Sequence, residues 1–548
     1  MTAVKTTLAA LLLVILPVIL SCPKDTELSE NKNQSGIKNN LSNIEHNESA
    51  QILILGGGYS ALGNQISLES NVKYLQRIKP ILQLEEKISH TYFADGNDSG
   101  RDIQFFDPKF VIPEINQIMA ELFGKSNGLA NQYRSNSLNP DGSSSVQSVD
   151  RWFKLLKNSD AREKSLLYFT GHGGKGESKK LFNTSIYLWN NAKIRVSELV
   201  KKIESLPKQK PIILVMVQCY SGGFSNVIFR EGDPKKEFIE RPTAGFFSTL
   251  QNRVAAGCTP DIREENYHEY STYFWEALSG RSRLGKKITK PDYNGDGKTS
   301  LLEAHSYVSI HSNTIDIPIK TSDTLLRKYL SSTKTETKVK KENEGLTGKL
   351  IQKIEFADQN KTLSVQKLEQ VNKSEFLLWA TPEEKAVFLG LSENLNLKEE
   401  YPAIEIKKLL EDLKKEKEAI EKERKKATDQ KNKFREELRK KIKGVFPEVA
   451  NPFHPVVSEI LSTEKSQSIL KIINQNNYWK KILIEKGKIK SFENQKFLLE
   501  KKEVKLMRLR RCLENIQMLN TLVESHKVEQ LKSFLKLQDL ERLTLDQL

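Results

Sequence analysis

The stretch PIILVMVQC, residues 211–219, decides the fold. Ile212 to Val217 is apolar without alternation, which is typical of a strand in a parallel sheet with both faces covered by helices. Similar apolar runs recur along the chain with helix-like sequence between them: QILILGGG, ISHTYFAD, KSLLYFTG and AGFFSTLQNRVAAGC. Strands that alternate with helices predict an α/β fold with a mostly parallel sheet, arranged as a three-layer α/β/α sandwich over residues 49–325.

The second half of the chain has a different character. Residues 326–345 are polar and predict a linker, and residues 346–548 read almost entirely as long helices. Apolar or small residues recur seven apart from Ile406 to Phe434, but the second heptad position is mostly Glu or Gln. Because half of the seam is polar, a helix that folds back in an antiparallel hairpin is favoured over a strong parallel coiled coil. This region suggests that the C-terminal helices bind a protein partner.

The chain is basic, with a formal net charge of +16 and a pI near 9.3. Such a balance can indicate nucleic acid or an anionic membrane surface. Here the lysines alternate with glutamates along the helical half, which is typical of a solvated helical surface. The sequence contains no nucleic-acid-binding motif that we recognise, so we expect no nucleic-acid partner.

The N-terminal segment predicts export. Residues 1–22, MTAVKTTLAALLLVILPVILSC, combine one early lysine with an apolar run too short for a comfortable bilayer span. The final ILSC resembles a relaxed bacterial lipobox, in which Cys22 would carry a lipid anchor; an ordinary signal peptide with an incidental cysteine is the alternative. Residues 23–48 are polar and predict a flexible tether. We therefore expect a secreted protein or a membrane-anchored lipoprotein, periplasmic or at the cell surface.

Two apolar runs end at a residue that can do chemistry. His172 follows LLYFTG, and Cys219 follows the run at 212–217, at a spacing of 219 − 172 = 47. That spacing leaves room for a crossover helix, so adjacent parallel strands would bring imidazole and thiol to one sheet edge. An imidazole beside a thiol can act as its base or ion-pair partner. The amides of Gly173 and Cys219 could then donate to a developing oxyanion.

Each of these residues alone has an ordinary structural interpretation. A lone histidine, or a cysteine at a strand end, is most often a packed core residue. Beyond Cys22 the chain has only Cys219, Cys258 and Cys512, too few for a disulfide framework. At least one of these thiols is therefore expected to be free, to pair between chains or to act chemically.

The segments YFTGHGG and VQCYSGGF resemble the caspase-like cysteine peptidases, above all the legumain-type branch and its bacterial relatives. ILILGGGYSALGNQISLESNV is similar to the first strand and helix of the bacterial members. The resemblance covers roughly residues 50–310 and implies a cysteine endopeptidase acting on protein or peptide substrates. It implies that His172 is the general base and acid, Cys219 the nucleophile and Gly173 an oxyanion donor. The alternative is a catalytically inactive surface scaffold that acts through its helices.

The loop GCTPDIREENYHEY, residues 257–270, is the candidate substrate-binding segment. Family members read the side chain before the cut at this sheet edge, and Asp261, Glu264 and Glu265 would favour Arg or Lys there. An exposed acidic loop without that role is an equal alternative. Cys258 begins the loop, and a reversible disulfide with Cys219 is a further hypothesis.

Residues 292–303, DYNGDGKTSLLE, follow the calcium-loop template. Oxygen ligands are expected from six positions: Asp292, Asn294, Asp296, Lys298 (through its carbonyl), Ser300 and Glu303. The entering helix is not convincing, and a turn followed by an N-terminal helix glutamate is the alternative. We expect Ca²⁺ to be structural.

The glycines of GGGYSA, residues 56–61, match a dinucleotide-binding fingerprint. No persuasive acidic partner follows them, so a nucleotide-binding oxidoreductase is the weaker alternative.

Overall fold

The computed structural model describes residues 51–331, 368–451, 453–462 and 464–548. The predicted signal peptide with Cys22, the tether and most of the linker lie outside the described residues. In the described ranges no helix combines the length and apolarity needed to cross a membrane. The described residues belong to one compact unit by their contacts.

A central six-stranded sheet organises the first half of the chain. The strands of the described residues are β1 (Ile52–Gly57), β2 (Ser89–Phe93), β3 (Ile103–Phe105), β4 (Gln132–Arg134), β5 (Ser165–Gly171), β6 (Gly173–Gly174), β7 (Ser185–Tyr187), β8 (Lys193–Arg195), β9 (Ile212–Met216), β10 (Thr243–Phe247) and β11 (Ile319–Lys320). The central sheet has the order β11-β10-β9-β5-β1-β2. Only the pair of β10 and β11 is antiparallel. The other strands form two small antiparallel ribbons, β3-β4 and β6-β7-β8.

The apolar runs become the buried centre of this sheet. Every residue of β1, β5, β9 and β10 is buried, because helices and loops cover the strands and leave no face for polar alternation. The prediction of an α/β fold with a mostly parallel sheet is therefore confirmed. Only the first residues of the run AGFFSTLQNRVAAGC form a strand, since β10 ends at Phe247.

Among the described residues, seven α-helices accompany the strands: α1 (Ile66–Ile78), α2 (Glu114–Phe123), α3 (Val146–Asn158), α4 (Val196–Glu204), α5 (Tyr270–Ser279), α6 (Leu301–His311) and α7 (Thr321–Ser331). In α4 the buried residues are Val196, Leu199, Val200 and Ile203, the face that the periodicity predicts. Helix α7 continues past residue 325, so the segment predicted to be linker begins as helix.

From residue 368 onward, the described part of the C-terminal region is helical without strands, as predicted. Its helices are α8 (Lys373–Trp379), α9 (Pro382–Asn394), α10 (Pro402–Val445), α11 (Pro455–Ser462), α12 (Glu464–Gln475), α13 (Tyr478–Glu524) and α14 (Val528–Glu541). The two long helices run antiparallel, because Lys417 of α10 pairs with Glu503 of α13 (2.6 Å) and Glu421 pairs with Lys496 (2.8 Å). This is the hairpin direction that the polar seam indicates.

The helical region packs against the sheet region at several places. Leu537, Leu545 and Leu548 belong to the same buried apolar cluster as the central strands. A second cluster joins α2 to the far end of the long hairpin through Ile118 of α2 and Ile442 of α10. Burial of this apolar area stabilises the two regions as one unit.

A single carboxylate of α14 holds the start of α7. Both oxygens of the fully buried Glu541 are used: Oε1 accepts from the Thr321 hydroxyl (2.7 Å) and the Ser322 amide (2.8 Å), and Oε2 from the Ser322 hydroxyl (2.6 Å). The contact places negative charge at a helix N-terminus, where the helix dipole favours it.

We expect Glu541→Ala to lower the free energy of unfolding by about 3 kcal/mol, since it leaves buried donors of Thr321 and Ser322 without an acceptor. Urea unfolding followed by circular dichroism measures the loss. Glu529→Ala is the matched control, because Glu529 lies on the same helix with its side chain 82% exposed; we expect that change to stay within about 0.5 kcal/mol. Equal losses in the two variants would contradict the assignment.

Candidate functional site

The two predicted chemical residues leave neighbouring strands at equivalent positions. Strand β5 pairs directly with β9, with Phe169 opposite Met216. His172 lies three residues after Phe169, and Cys219 lies three residues after Met216. Both residues therefore lie at the carboxyl edge of the sheet. The backbones touch here, because a β-carbon added to Gly173 would lie 2.0 Å from the carbonyl oxygen of Cys219. The sequence prediction of one shared edge for both residues therefore agrees with the strand pairing.

The imidazole of His172 is held through one nitrogen. Its Nε2 lies 2.7 Å from the Gly63 carbonyl oxygen and 3.0 Å from the Gln65 side-chain oxygen. Both partners are acceptors, so Nε2 carries the proton and Nδ1 is the free base. The ring edge packs against Tyr59, with centroids 5.3 Å apart. Burial lowers the pKa of His172, against the opposing effect of the Gly63 carbonyl, so the neutral ring is favoured.

The glycine-rich turn at residues 56–64 explains how Gly63 reaches the imidazole. A β-carbon on Gly58 would lie 2.2 Å from the carbonyl oxygen of Gly63, and the Gly58 amide donates to Asn64 Oδ1 (2.9 Å). Only a residue without a side chain allows this close approach. The glycines that resemble a dinucleotide fingerprint thus build the turn that presents Gly63 and Gln65 to His172.

The sulfur of Cys219 is held by a different loop. The Ala255 amide donates to Sγ at 3.3 Å, and the Ala255 carbonyl oxygen lies 3.9 Å away. Among the described residues, Sγ has no direct hydrogen bond to the imidazole. Burial raises the pKa of the thiol, and the nearby Asp316 carboxylate raises it further, whereas the Ala255 amide lowers it. Thiol and imidazole therefore both favour their neutral forms.

The segment after Cys219 is not a regular α-helix. Tyr220 has a left-handed backbone (φ 60°), and residues Ser221–Ile228 form a 3₁₀-helix. The dipole of a regular α-helix is therefore not available to the thiol at this point. Among the described residues, the Cys219 amide donates to no backbone carbonyl of these turns.

Cys258 lies beside the same imidazole. Its sulfur is 3.8 Å from His172 Nδ1, and the residue is exposed. All three cysteines of the described residues are free thiols. Among the described residues, the sulfur in contact with this imidazole is therefore that of Cys258, whereas the sequence predicted that of Cys219.

Two of the three predicted substrate-binding acids, Asp261 and Glu264, are paired with arginines. Asp261 accepts from Arg263 through both oxygens, and these hydrogen bonds, together with those from the Arg263 amide and Asn266, lower its pKa to about 2 against the opposing effect of burial. Glu264 lies 3.3 Å from Arg77, and Glu265 is exposed. Nothing in these contacts gathers the three carboxylates into one pocket.

The predicted calcium loop has the turns of its template. Asp292 accepts from the amides of Asp296 and Gly297 (both 3.0 Å), and Gly297 has φ +79°. Asn294 and Asp296 make similar short turns, and Ser300 caps helix α6. The oxygen set of residues 292–300 suits calcium.

Glu303 is the predicted ligand whose contacts depart from the calcium-loop template. Its Oε1 accepts from the amides of Tyr293 and Asn294, and its Oε2 from the amide and hydroxyl of Ser300. Over the described ranges, no cluster of three or more His, Cys, Asp or Glu residues is arranged to hold a metal. Calcium binding by all six predicted residues therefore requires the Glu303 carboxylate to turn.

Sequence reasoning missed Gly63, Gln65, Ala255 and Asp316 as neighbours of His172 and Cys219. The glycine run before Gly63 was the one available signal, since glycines without a phosphate-binding context often mark a close backbone approach. Ala255 and Asp316 carry no such signal, because their role depends on loops that meet only in three dimensions.

A scan against protein-family models finds no model that matches this chain, and a search of curated proteins finds no significant match.

We expect Gly173→Ala to lower the melting temperature by several degrees, because real β-carbons do not approach a carbonyl oxygen to 2.0 Å and the two strand ends must separate. Scanning calorimetry measures the shift. Gly444→Ala on α10 is the matched control, since its β-carbon meets no atom within 4 Å; alanine there stabilises a helix by up to about 1 kcal/mol. Unchanged melting of the Gly173 variant would refute the close contact.

Proposed function

We propose that the chain is an exported, caspase-like cysteine endopeptidase that hydrolyses peptide bonds through His172 and Cys219. The observation that carries the proposal is the pairing of β5 with β9, which brings both residues to one sheet edge. The three-layer sandwich and the kinship with legumain-type peptidases belong to the same proposal. The short motifs around the two residues support it, because they occur in the expected order and spacing.

The chemistry follows from the hydrogen bonds of the imidazole. Since Nε2–H is held by Gly63 and Gln65, Nδ1 takes the proton of Cys219 as Sγ attacks the substrate carbonyl carbon. The carbonyl electron pair moves to the oxygen, to which the amides of Cys219 and Gly173 donate. Collapse breaks the C–N bond, and Nδ1–H protonates the departing amine. Water, deprotonated by Nδ1, then hydrolyses the thioester and restores the thiol.

Neutral ground states fit this sequence of steps. Burial disfavours both thiolate and imidazolium before substrate binds, so proton transfer accompanies attack rather than preceding it. Catalytic hydrogen bonds are often long without substrate and shorten in the bound complex. The absence of a direct bond between Cys219 and His172 in the described residues is compatible with that behaviour.

The same absence is the observation that favours the alternative. A caspase-like scaffold without activity would keep the fold and the helices but need no contact between sulfur and imidazole. In that case the long hairpin of α10 and α13 would carry the function by binding a protein partner. The two proposals differ in whether any peptide cleavage depends on Cys219.

Basic side chains before the cut remain the proposed preference. Asp261, Glu264 and Glu265 supply negative charge in the same loop, residues 257–270, that contains Cys258. Because Asp261 is paired with Arg263, a substrate Arg or Lys would have to exchange with that arginine. Export, with a lipid on Cys22 anchoring the protein to a membrane, completes the proposed setting.

Calcium is proposed as a structural ion of the 292–303 loop. Asp292, Asn294, Asp296, Lys298 and Ser300 would hold it, with Glu303 joining after it turns from its present hydrogen bonds. The ion would neutralise the carboxylates and fix the start of helix α6. It takes no part in the peptide hydrolysis.

Cys219→Ala is expected to reduce cleavage of a mixed peptide library by at least about a thousandfold, because the nucleophile is removed. Mass spectrometry of the products measures the change. Cys258→Ser is the matched control: it keeps a small polar group 3.8 Å from the same nitrogen, and we expect at least half of the wild-type rate. Cleavage that survives in Cys219→Ala but vanishes in Cys258→Ser would reverse the roles of the two thiols, and no cleavage by wild type would leave the scaffold.

Calcium is expected to raise the melting temperature of wild type relative to chelator, and Asp296→Asn to remove most of that rise. The substitution keeps an acceptor for the Lys298 amide (2.9 Å) but deletes one ligand charge. Asp98→Asn is the control, since Asp98 forms a similar exposed turn with Gly100 outside the loop. Equal calcium responses in all three proteins would exclude binding at this loop.

A further inference from the structure

A buried arginine of the helical region reaches the loop behind the candidate site. Arg508 lies on α13 and is only 3% exposed. Its guanidinium donates to four residues around the end of α6 and the following loop: the carbonyl oxygens of Ser309 (3.2 Å), Ser312 (2.8 Å), Thr314 (3.2 Å) and Asp316 (2.7 Å). It also donates to the Thr314 hydroxyl (3.2 Å). One side chain of the C-terminal half thus holds residues 309–316 of the first half.

This loop is connected to the sulfur of Cys219 by two further hydrogen bonds. The Asp316 carboxylate, fully buried, accepts from the Ala256 amide at 2.8 Å and from the Thr314 hydroxyl at 3.0 Å. The preceding Ala255 amide donates to Cys219 Sγ at 3.3 Å. The path from Arg508 to the thiol therefore consists of short contacts through Asp316 and the 255–256 backbone.

The same helix touches the site region a second time. Glu500 of α13 lies 3.5 Å from Arg253, and the Arg253 carbonyl accepts from the amide of Tyr220 (2.8 Å), the residue after Cys219. The loop that carries Ala255 is thus contacted from α13 at Glu500 and, through Asp316, at Arg508.

We propose that Arg508 is a positioning residue of the site: by fixing residues 309–316 it holds the 255–256 backbone against Cys219. The catalytic consequence rests on the proposed peptidase function, but the positioning of the backbone does not. The helical half would then help to hold the backbone around Cys219, in addition to its proposed binding of a protein partner.

The chemistry of arginine suits this place. Five N–H donors in a planar fork meet several carbonyls at once, which the ammonium of a lysine cannot do with the same geometry. Burial lowers the pKa of Arg508 to about 10, so the side chain remains charged at neutral pH. Its removal leaves buried carbonyl oxygens without donors, a state that the loop can relieve only by moving.

Hydrogen exchange in the full-length protein tests the positioning directly. In Arg508→Met we expect the amides of Ala255 and Ala256 to exchange at least tenfold faster than in wild type, as measured by site-resolved mass spectrometry. In Arg508→Lys, which keeps the charge with fewer bonds, we expect a smaller acceleration; this variant carries the test if Arg508→Met does not fold. Wild-type exchange at both amides in the folded Arg508 variant would overturn the proposal.

Arg327→Ala is the matched control. Arg327 also joins the two halves, through Glu514 (3.1 Å) and Asn515 (3.2 Å) of α13, and among the described residues it has no hydrogen bond to the 309–316 loop. We expect a comparable loss of melting temperature with unchanged exchange at Ala255 and Ala256. Equal acceleration in Arg327→Ala would show general loosening and overturn the specific role of Arg508.

Peptide cleavage separates this inference from the proposed function. If wild type cleaves peptides, Arg508→Lys should lower kcat at least fivefold with KM within twofold, because the nucleophile is displaced while substrate contacts remain. Unchanged kcat together with unchanged exchange refutes the positioning role. If wild type cleaves nothing, accelerated exchange still supports the positioning, and the peptidase proposal alone fails.

Discussion

The register between β5 and β9 is the constraint on which the candidate site depends. Phe169 lies opposite Met216, and each apolar strand ends shortly before a residue with reactive chemistry. A shift of one residue would turn every side chain of a strand to the other face of the sheet. Because both strands are buried along their whole length, such a shift carries a large cost in apolar packing. The core thus determines where imidazole and thiol lie.

The hydrogen bonds to His172 and Cys219 at that edge come from segments that are distant in the sequence. The turn before α1 fixes the imidazole tautomer through Gly63 and Gln65, and the loop after β10 contributes Ala255 to the sulfur. Two separate segments therefore orient the imidazole and the thiol, and burial favours the neutral form of each group.

Much of the architecture could be predicted from the sequence, because uninterrupted apolar runs such as Ile212–Met216 and the helical spacing in α4 are local signals. The shared edge of His172 and Cys219 also followed, since parallel strands connected by a helix align their ends. The contacts of Cys258, Asp316 and Arg508 did not. They depend on loops and on a helix hundreds of residues away, and nothing in their local sequence marks them. The ion pair of Asp261 with Arg263 could not be predicted either. The sequence of an acidic loop does not tell whether its carboxylates are paired with arginines in the folded protein.

The order in which the chain is made gives the Arg508 contact a further meaning. Arg508 follows Cys219 by 508 − 219 = 289 residues, so a growing polypeptide contains His172 and Cys219 long before α13 leaves the ribosome. Until then the carbonyls of residues 309–316 lack the guanidinium that contacts them in the finished protein. The complete set of contacts around Cys219 therefore forms only when late-synthesised sequence packs against early-synthesised sequence.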